Sequence, residues 1–261
     1  MVYILLFFVF VVINRGRIFE DYDEFNHWAL IIKNMYLYNE YGTAKGSIVT
    51  FNEYPPFTAC FQYIMLSIKG MYSEDLIIMA QNILYLLIII PVCAKISFKK
   101  NLKNLLLIIP AILVLPIILY EDFFVNILVD GFLGVLFAMG LFHIYQNDKN
   151  KLYKTIIITL MITAIALTKT TGIALGILLL VFAILKMKKD KLKVVMVLAI
   201  LPIVLVSSWY IKINLKNVKR EWDLAKIFQQ KEESSIRTEG VIKSFFSAML
   251  EHNEVIGKKM C

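Results

Sequence analysis

Apolar runs recur along this chain, and the polar connections between them sort by charge. The runs cover residues 1–13, 73–94, 105–120, 123–145, 155–167, 172–185 and 194–211. A helix needs about 20 apolar residues to cross the hydrocarbon core of a bilayer, and several runs reach or approach that length. Inside lipid, each backbone polar group must be satisfied within its own segment, so such runs read as helices. The chain is 59% hydrophobic over 261 residues, with mean hydropathy +0.70, whereas soluble domains sit nearer half apolar. The expected fold class is all-α, a polytopic helical membrane protein with about seven spans plus interfacial helices.

Charge placement sets an expected topology. Lys95, Lys99, Lys100 and Lys103 occur without an acid; Lys149, Lys151 and Lys154 occur with Asp148; Lys186, Lys188, Lys189, Lys191 and Lys193 occur with Asp190. The connection 15–57 carries more acids than bases, and Glu121-Asp122 has no base beside it. By the positive-inside rule the lysine connections are cytoplasmic and the acidic ones face out. The run 58–71 is short and carries Lys69, and counting it as a span would reverse every lysine connection. It reads as juxtamembrane or re-entrant. Residues 110 and 116 are prolines and should bend or interrupt the third run. Thr168–Thr171 should break the hairpin 155–185, and Trp209 and Tyr210 should form an interfacial belt. The chain divides into a transmembrane domain, 1–213, with outer loop 15–57, and an extracytoplasmic amphipathic tail, 214–261. The tail has no closing span, which reads as a piece of a longer protein.

The net charge of +8 comes from lysines between apolar runs, not from a basic face interleaved with aromatics, so a nucleic-acid partner is not indicated. Cys60, Cys93 and Cys261 have no metal or redox spacing. No Walker loop, Rossmann glycine fingerprint, HExxH or GxSxG is present, which excludes an ATP-driven pump by its own motifs.

The residues that suit chemistry lie near the outer boundary. Glu20-Asp21-Tyr22-Asp23-Glu24 places four carboxylates there, where they must be solvated, paired or holding a cation. Asp23 suits an N-cap or first-turn acid of the helix that follows. Glu24 suits capping, and His27, one turn on, either shares the acids' site or is a hydrogen-bonded interfacial histidine. Glu53 precedes Tyr54-Pro55-Pro56, whose prolines hold the backbone extended or start a helix. Asp130 lies within the apolar run and shares a face with Asn126, where an ionisable group is functional or makes an interhelical contact. Lys169, at the helix break, suits an anion site or snorkels to the interface. Arg15 and Arg17 meet either a phosphate or lipid headgroups.

The order of these elements carries a resemblance. A first span leads to DEFNHW, then EYPPF, a basic turn, YEDFFVNILVDGFLGVLFA, the hairpin ALTKTTGIAL and a Trp at the next outer boundary. This resembles the N-terminal half of the GT-C class of membrane glycosyltransferases, similar to protein O-mannosyltransferases and lipid A aminoarabinose transferases, over residues 1–215. The chain departs at Tyr54, where some relatives carry a lysine. The resemblance implies transfer of a sugar from a polyprenyl-phosphate donor to an extracytoplasmic glycan, lipid or protein of the cell envelope, in a bacterial cytoplasmic membrane. It implies Asp23, Glu53 and Asp130 as catalytic residues. Lys169, Arg15, Arg17, Glu24 and His27 would contact substrate. The leaving phosphate needs positive charge, from these cations or from a divalent metal, magnesium or manganese, on Asp23 and Glu53. A transporter or lipid flippase, or an inactive fragment, are the competing readings.

Overall fold

Apolar residues continuous around a helix circumference cannot make a one-sided amphipathic helix; such a helix is buried, within a protein core or within a membrane. The computed structural model describes residues 2–44, 47–94, 102–146, 151–186 and 192–216, and among them the fold is all-helical. The helices are α1 (Val2–Asn14), α2 (Ala29–Tyr38), α3 (Phe57–Lys69), α4 (Glu74–Ala94), α5 (Leu102–Leu119), α6 (Val129–Tyr145), α7 (Lys151–Ala166), α8 (Thr170–Lys186) and α9 (Leu192–Leu215). A π-helical turn, Glu24–Trp28, leads directly into α2. The stretches Glu74–Val92 and Leu198–Leu215 are long and apolar enough to cross a membrane, while α6, α7 and α8 are shorter apolar helices.

Most of the expected runs fall on these helices, and the 168–171 break falls between α7 and α8. The short run at 58–71 is α3, which packs on α2 and α4. Two expectations are corrected. The prolines at 110 and 116 were to bend or interrupt the third run; they do not interrupt it, since α5 is continuous through both. Pro116 has no N–H to give the Ile112 carbonyl, and the Tyr85 hydroxyl of α4 donates to that carbonyl at 2.7 Å instead. The run 123–145 was to be one span, but α6 begins only at Val129. Residues 120–128 are held as irregular backbone, with Asp122 in the left-handed region at φ 59°. The Asn82 side chain of α4 donates to the Phe124 carbonyl at 2.8 Å, and Asn126 Oδ1 accepts from the Leu128 N–H at 3.2 Å.

Helix α7 packs on α6, α8 and α9, and α1 packs on α4. One core, built from residues such as Phe10, Tyr85, Phe132, Leu136, Ile158 and Leu179, runs between these helices. A second core lies at one end of the bundle. There Trp28, Ile32, Met35, Leu66, Ile77, Ile127 and Val129 fold the 15–57 connection into a cap. Away from both cores the helices keep large apolar side chains exposed, among them Ile4 and Phe8 on α1, Ile118 on α5, Ile177 on α8 and Ile203 on α9. The tail beyond residue 216, with Cys261, lies outside the described residues, as do Lys95, Lys99, Lys100, Lys149, Lys188, Lys189 and Lys191.

Close approach occurs at two glycines, Gly172 within the α7–α8 hairpin and Gly140 between α6 and α8. A Cβ at Gly172 would collide with the Ile165 carbonyl oxygen, and one at Gly140 would collide with the Leu179 side chain. A backbone oxygen cannot swing aside as a side chain can. Gly172→Ala is expected to destabilise the fold by about 2 kcal/mol or more, read as a lowered thermal unfolding midpoint. Gly134→Ala, on α6 where a Cβ meets nothing within 4 Å, should leave the midpoint unchanged or raised.

Candidate functional site

The cap end gathers chemistry from four stretches of sequence: the π-turn, the 53–57 segment, the 120–130 segment and the α7–α8 break. The Phe57 N–H donates to the Leu167 carbonyl at 3.0 Å, docking the start of α3 on the break. This is where the proline motif meets the Thr-Lys motif. Lys169, at the start of α8, bonds both carboxylate oxygens of Asp130, at 2.8 and 3.1 Å. The pair is open to water, with side-chain exposures of 20% for Lys169 and 54% for Asp130. Asp130 is therefore not deep within an apolar span, as its run implied. It lies in the first turn of α6, because the helix starts late. The Lys169 ammonium also sits 5.9 Å from the centre of the Tyr54 ring.

His27 lies behind this pair. It is 2% exposed and packed edge-on against Trp28, Phe51 and Tyr54. Its Nδ1 accepts from the Phe51 N–H at 3.3 Å, which puts the ring proton on Nε2, and Nε2 has no partner among the described residues. Burial first, and the Lys169 charge second, push its pKa down to about 3. Above pH 6.5 the ring is neutral in both folded and unfolded chains and pH has no leverage through it. As pH falls from 6.5 towards 3, the unfolded chain takes up a proton that the folded chain refuses, so stability falls with pH. The full separation corresponds to on the order of 5 kcal/mol. Unfolding midpoints measured from pH 7 to pH 4 should drop steeply, and His27→Gln should flatten that slope.

Three acids of the Glu20–Glu24 cluster, Asp21, Asp23 and Glu24, take different parts. Asp23 is the N-cap residue of the π-turn; its side chain makes no capping bond and is exposed. Asp21 Oδ1 accepts from the Asp23 N–H at 3.0 Å. Glu24 is 1% exposed and is saturated by backbone. Its Oε2 accepts from the N–H groups of Glu20 and Asp21 at 2.9 and 3.0 Å, and its Oε1 accepts from the Ile127 N–H at 2.9 Å. Glu24 thus joins the π-turn to the start of α6. Tyr120, just after α5, has its hydroxyl pKa raised by burial and then by the charges of Asp130, Asp21 and Asp23. The acids of the π-turn and of α6 therefore bear on one phenol.

Glu53 is 4% exposed, and its backbone carbonyl accepts from the Trp209 indole N–H at 2.8 Å. Trp209, expected in an interfacial belt, is buried in the protein and ties α9 to the proline motif. Beside it, Lys212 lies 3.7 Å from the centre of the Tyr41 ring. Arg15 and Arg17 lie elsewhere. Arg17 Nε donates to the Ile13 carbonyl at 3.1 Å, closing the end of α1, and Arg15 lines a separate cavity with Lys69 and Asp75.

Sequence reasoning missed three partners here: Tyr120, the Trp209 bond, and the reach of Glu24 across 103 residues. The Tyr120 signal was present, an aromatic beside Glu121-Asp122 at an apolar boundary. The other two are long-range contacts that no local pattern encodes.

Among the described residues no group of three or more His, Cys, Asp or Glu side chains forms a metal-ligand set. Of the two expected metal ligands, Asp23 is exposed and Glu53 is buried. Among the described residues the arrangement sets one cation, Lys169, against the exposed carboxylate of Asp130. Comparison with family models, curated proteins and solved structures returned no match to this chain.

Proposed function

We propose that the chain is a polytopic membrane protein of the GT-C class, and that its cap end is the outward-facing site of a glycosyltransferase. Two physical facts support the membrane part. Large apolar side chains stay exposed on several helices, which water would oppose and lipid would not. Lysines flank the helix ends opposite the cap, which suits a cytoplasmic side. About seven spans are then α1 and α4 through α9, with α2 and α3 in the cap.

The observation that carries the catalytic reading is the Lys169–Asp130 pair on a helix start, water-accessible and flanked by Tyr54, His27 and Tyr120. A lysine held at a helix start is a ready anchor for a phosphate. In this reading Lys169 exchanges Asp130 for the phosphate of a polyprenyl-phosphate sugar. Asp130 keeps the lysine extended towards the opening when no donor is bound. The acceptor hydroxyl attacks the anomeric carbon as the bond to the lipid phosphate breaks, and the hydroxyl proton passes to the exposed carboxylate of Asp23. Charge growing on the leaving phosphate is met by Lys169. Glu53 acts through the backbone it anchors, holding Tyr54 beside the lysine. The acceptor is an extracytoplasmic glycan, lipid or protein of the envelope of a bacterial cell.

Lys169→Gln tests this reading. Transfer of labelled sugar from polyprenyl-phosphate donors, measured in membranes holding the protein, should fall by about 10²–10³-fold. Lys169→Arg, which keeps the charge, should retain part of it. Equal transfer by wild type and Lys169→Gln would remove the lysine from the mechanism.

A further inference from the structure

Two cavities lie along the α1–α4 seam, each touching the edge of one core, at Leu76 and at Leu86. The upper one, about 310 Å³, is lined by Val11, Asn14, Arg15, Lys69, Asp75, Leu76 and Met79. The lower one, about 250 Å³, is lined only by apolar side chains: Ile4 and Phe7 of α1 with Ile83, Leu86, Leu87 and Ile90 of α4. Their lining residues fall into two helical stripes. On α1, positions 4, 7, 11 and 14 repeat at three and four residues; on α4, positions 76, 79, 83, 86 and 90 do the same. Residues so spaced share one helix face. The two cavities are therefore successive parts of one groove, polar at the cap end and apolar below.

The polar end has a net positive character. Among the described residues neither Arg15 nor Lys69 forms an ion pair; Lys69 Nζ donates to the Ser73 hydroxyl at 2.9 Å. The Asp75 carboxylate is already taken up by the N–H groups of Gly16 and Leu76, at 3.3 and 2.8 Å, and by the Ser73 hydroxyl. Asn14 is 1% exposed. Its amide nitrogen donates to the Phe10 carbonyl at 2.9 Å, while its Oδ1 is buried without a partner among the described residues. A buried acceptor is costly to leave unpaired. The head of the groove thus offers two cations for an anion and one acceptor for a neighbouring hydroxyl or ammonium.

We infer that this groove binds an anionic phospholipid, its phosphate between Arg15 and Lys69, its headgroup hydroxyl on Asn14, and one acyl chain along Ile4, Phe7 and Leu87. The charge at the head and the apolar continuation below select an amphiphile over a free anion. The site is separate from the Lys169–Asp130 pair and gives Arg15 a role that is not catalytic. The lipid also wedges α1 against α4 and so steadies the start of the cap at Gly16 and Phe19, whose N–H groups bond Asp75 and Glu74. The inference rests on the membrane part of the reading above, and not on the glycosyltransferase part.

The test is native mass spectrometry of the detergent-purified full chain after exchange with phosphatidylglycerol, phosphatidylcholine or inorganic phosphate. Phosphatidylglycerol should be retained over phosphatidylcholine by on the order of tenfold, and phosphate alone should not displace it. The Arg15→Gln, Lys69→Gln double variant should lose the preference. Ile4→Trp, which fills the lower groove and leaves the charges in place, should lose retention of both lipids. Arg17→Gln should match wild type. Equal retention of the two phospholipids by wild type, or displacement by inorganic phosphate, would overturn the inference. Carbonate extraction of the membranes separates the two failures. Release of the chain by carbonate would sink the membrane reading itself, while a retained chain without lipid preference would sink this inference alone.

Discussion

Asp23→Asn is expected to lower sugar transfer by about 10²–10⁴-fold, the range for losing a general base, while leaving the unfolding midpoint in place. The two halves of that prediction have separate grounds. Asp23 is exposed, and its side chain makes no capping bond at the π-turn. Asparagine keeps the size and the capping ability of the residue, so folding has little to lose. Catalysis has much to lose, because an amide cannot accept the acceptor's proton. Of the cluster, Asp21 already receives the Asp23 N–H and Glu24 is saturated by backbone. Neither is free to take over. A variant that transferred sugar at the wild-type rate would remove Asp23 from the mechanism, whatever the fate of the rest of the site.

The second large effect is structural and falls one residue away. Glu24→Ala removes the acceptor of three backbone N–H groups, those of Glu20, Asp21 and Ile127, at a position 1% exposed. Each charge-assisted bond is worth roughly 1.5–3 kcal/mol, and each buried donor left unpaired costs about 1–3 kcal/mol. The loss should reach on the order of 5 kcal/mol, comparable with the whole stability of a small domain. The cap should open first, since the π-turn and the start of α6 are joined through this carboxylate. Proteolysis within residues 15–57 and amide exchange at Ile127 report that opening directly. Glu24→Gln should cost less than alanine, keeping one acceptor oxygen and losing the charge. If Glu24→Ala unfolded no earlier than wild type, the carboxylate would not be the tie described here.

Adjacent residues with the same charge thus have opposite expected phenotypes, activity at 23 and stability at 24. Nothing in the string Asp23-Glu24 distinguishes them, since the distinction is made by Ile127. The helix break at Lys169 was legible because threonine, lysine and glycine interrupt two apolar stretches, a local signal with a local cause. The helix runs were legible for the same reason. The late start of α6 was not. Val125, Ile127 and Leu128 are as apolar as the helix itself, and what keeps this stretch out of it is the reach of Asn82 and Glu24 from elsewhere in the chain. The continuity of α5 was hidden in the same way, because the bond that satisfies the Ile112 carbonyl comes from Tyr85. Candidate site residues could be chosen by type and boundary position, but which of them meet could not. Asp130 and Lys169 meet; Arg15 joins Lys69 instead; Trp209 turns inward to hold the Glu53 carbonyl.

The central claim is an outward-facing site at the Lys169–Asp130 pair that takes a polyprenyl-phosphate donor, and labelling of a cysteine at position 130 tests it most directly. Asp130→Cys would be made in a chain whose own three cysteines are replaced by alanine, and sealed right-side-out vesicles would be treated with a membrane-impermeant maleimide. The account predicts labelling from outside without permeabilisation, slowed by a polyprenyl-phosphate sugar and not by the same lipid chain without its phosphate. Labelling only after permeabilisation, or at a rate indifferent to the donor, would contradict it.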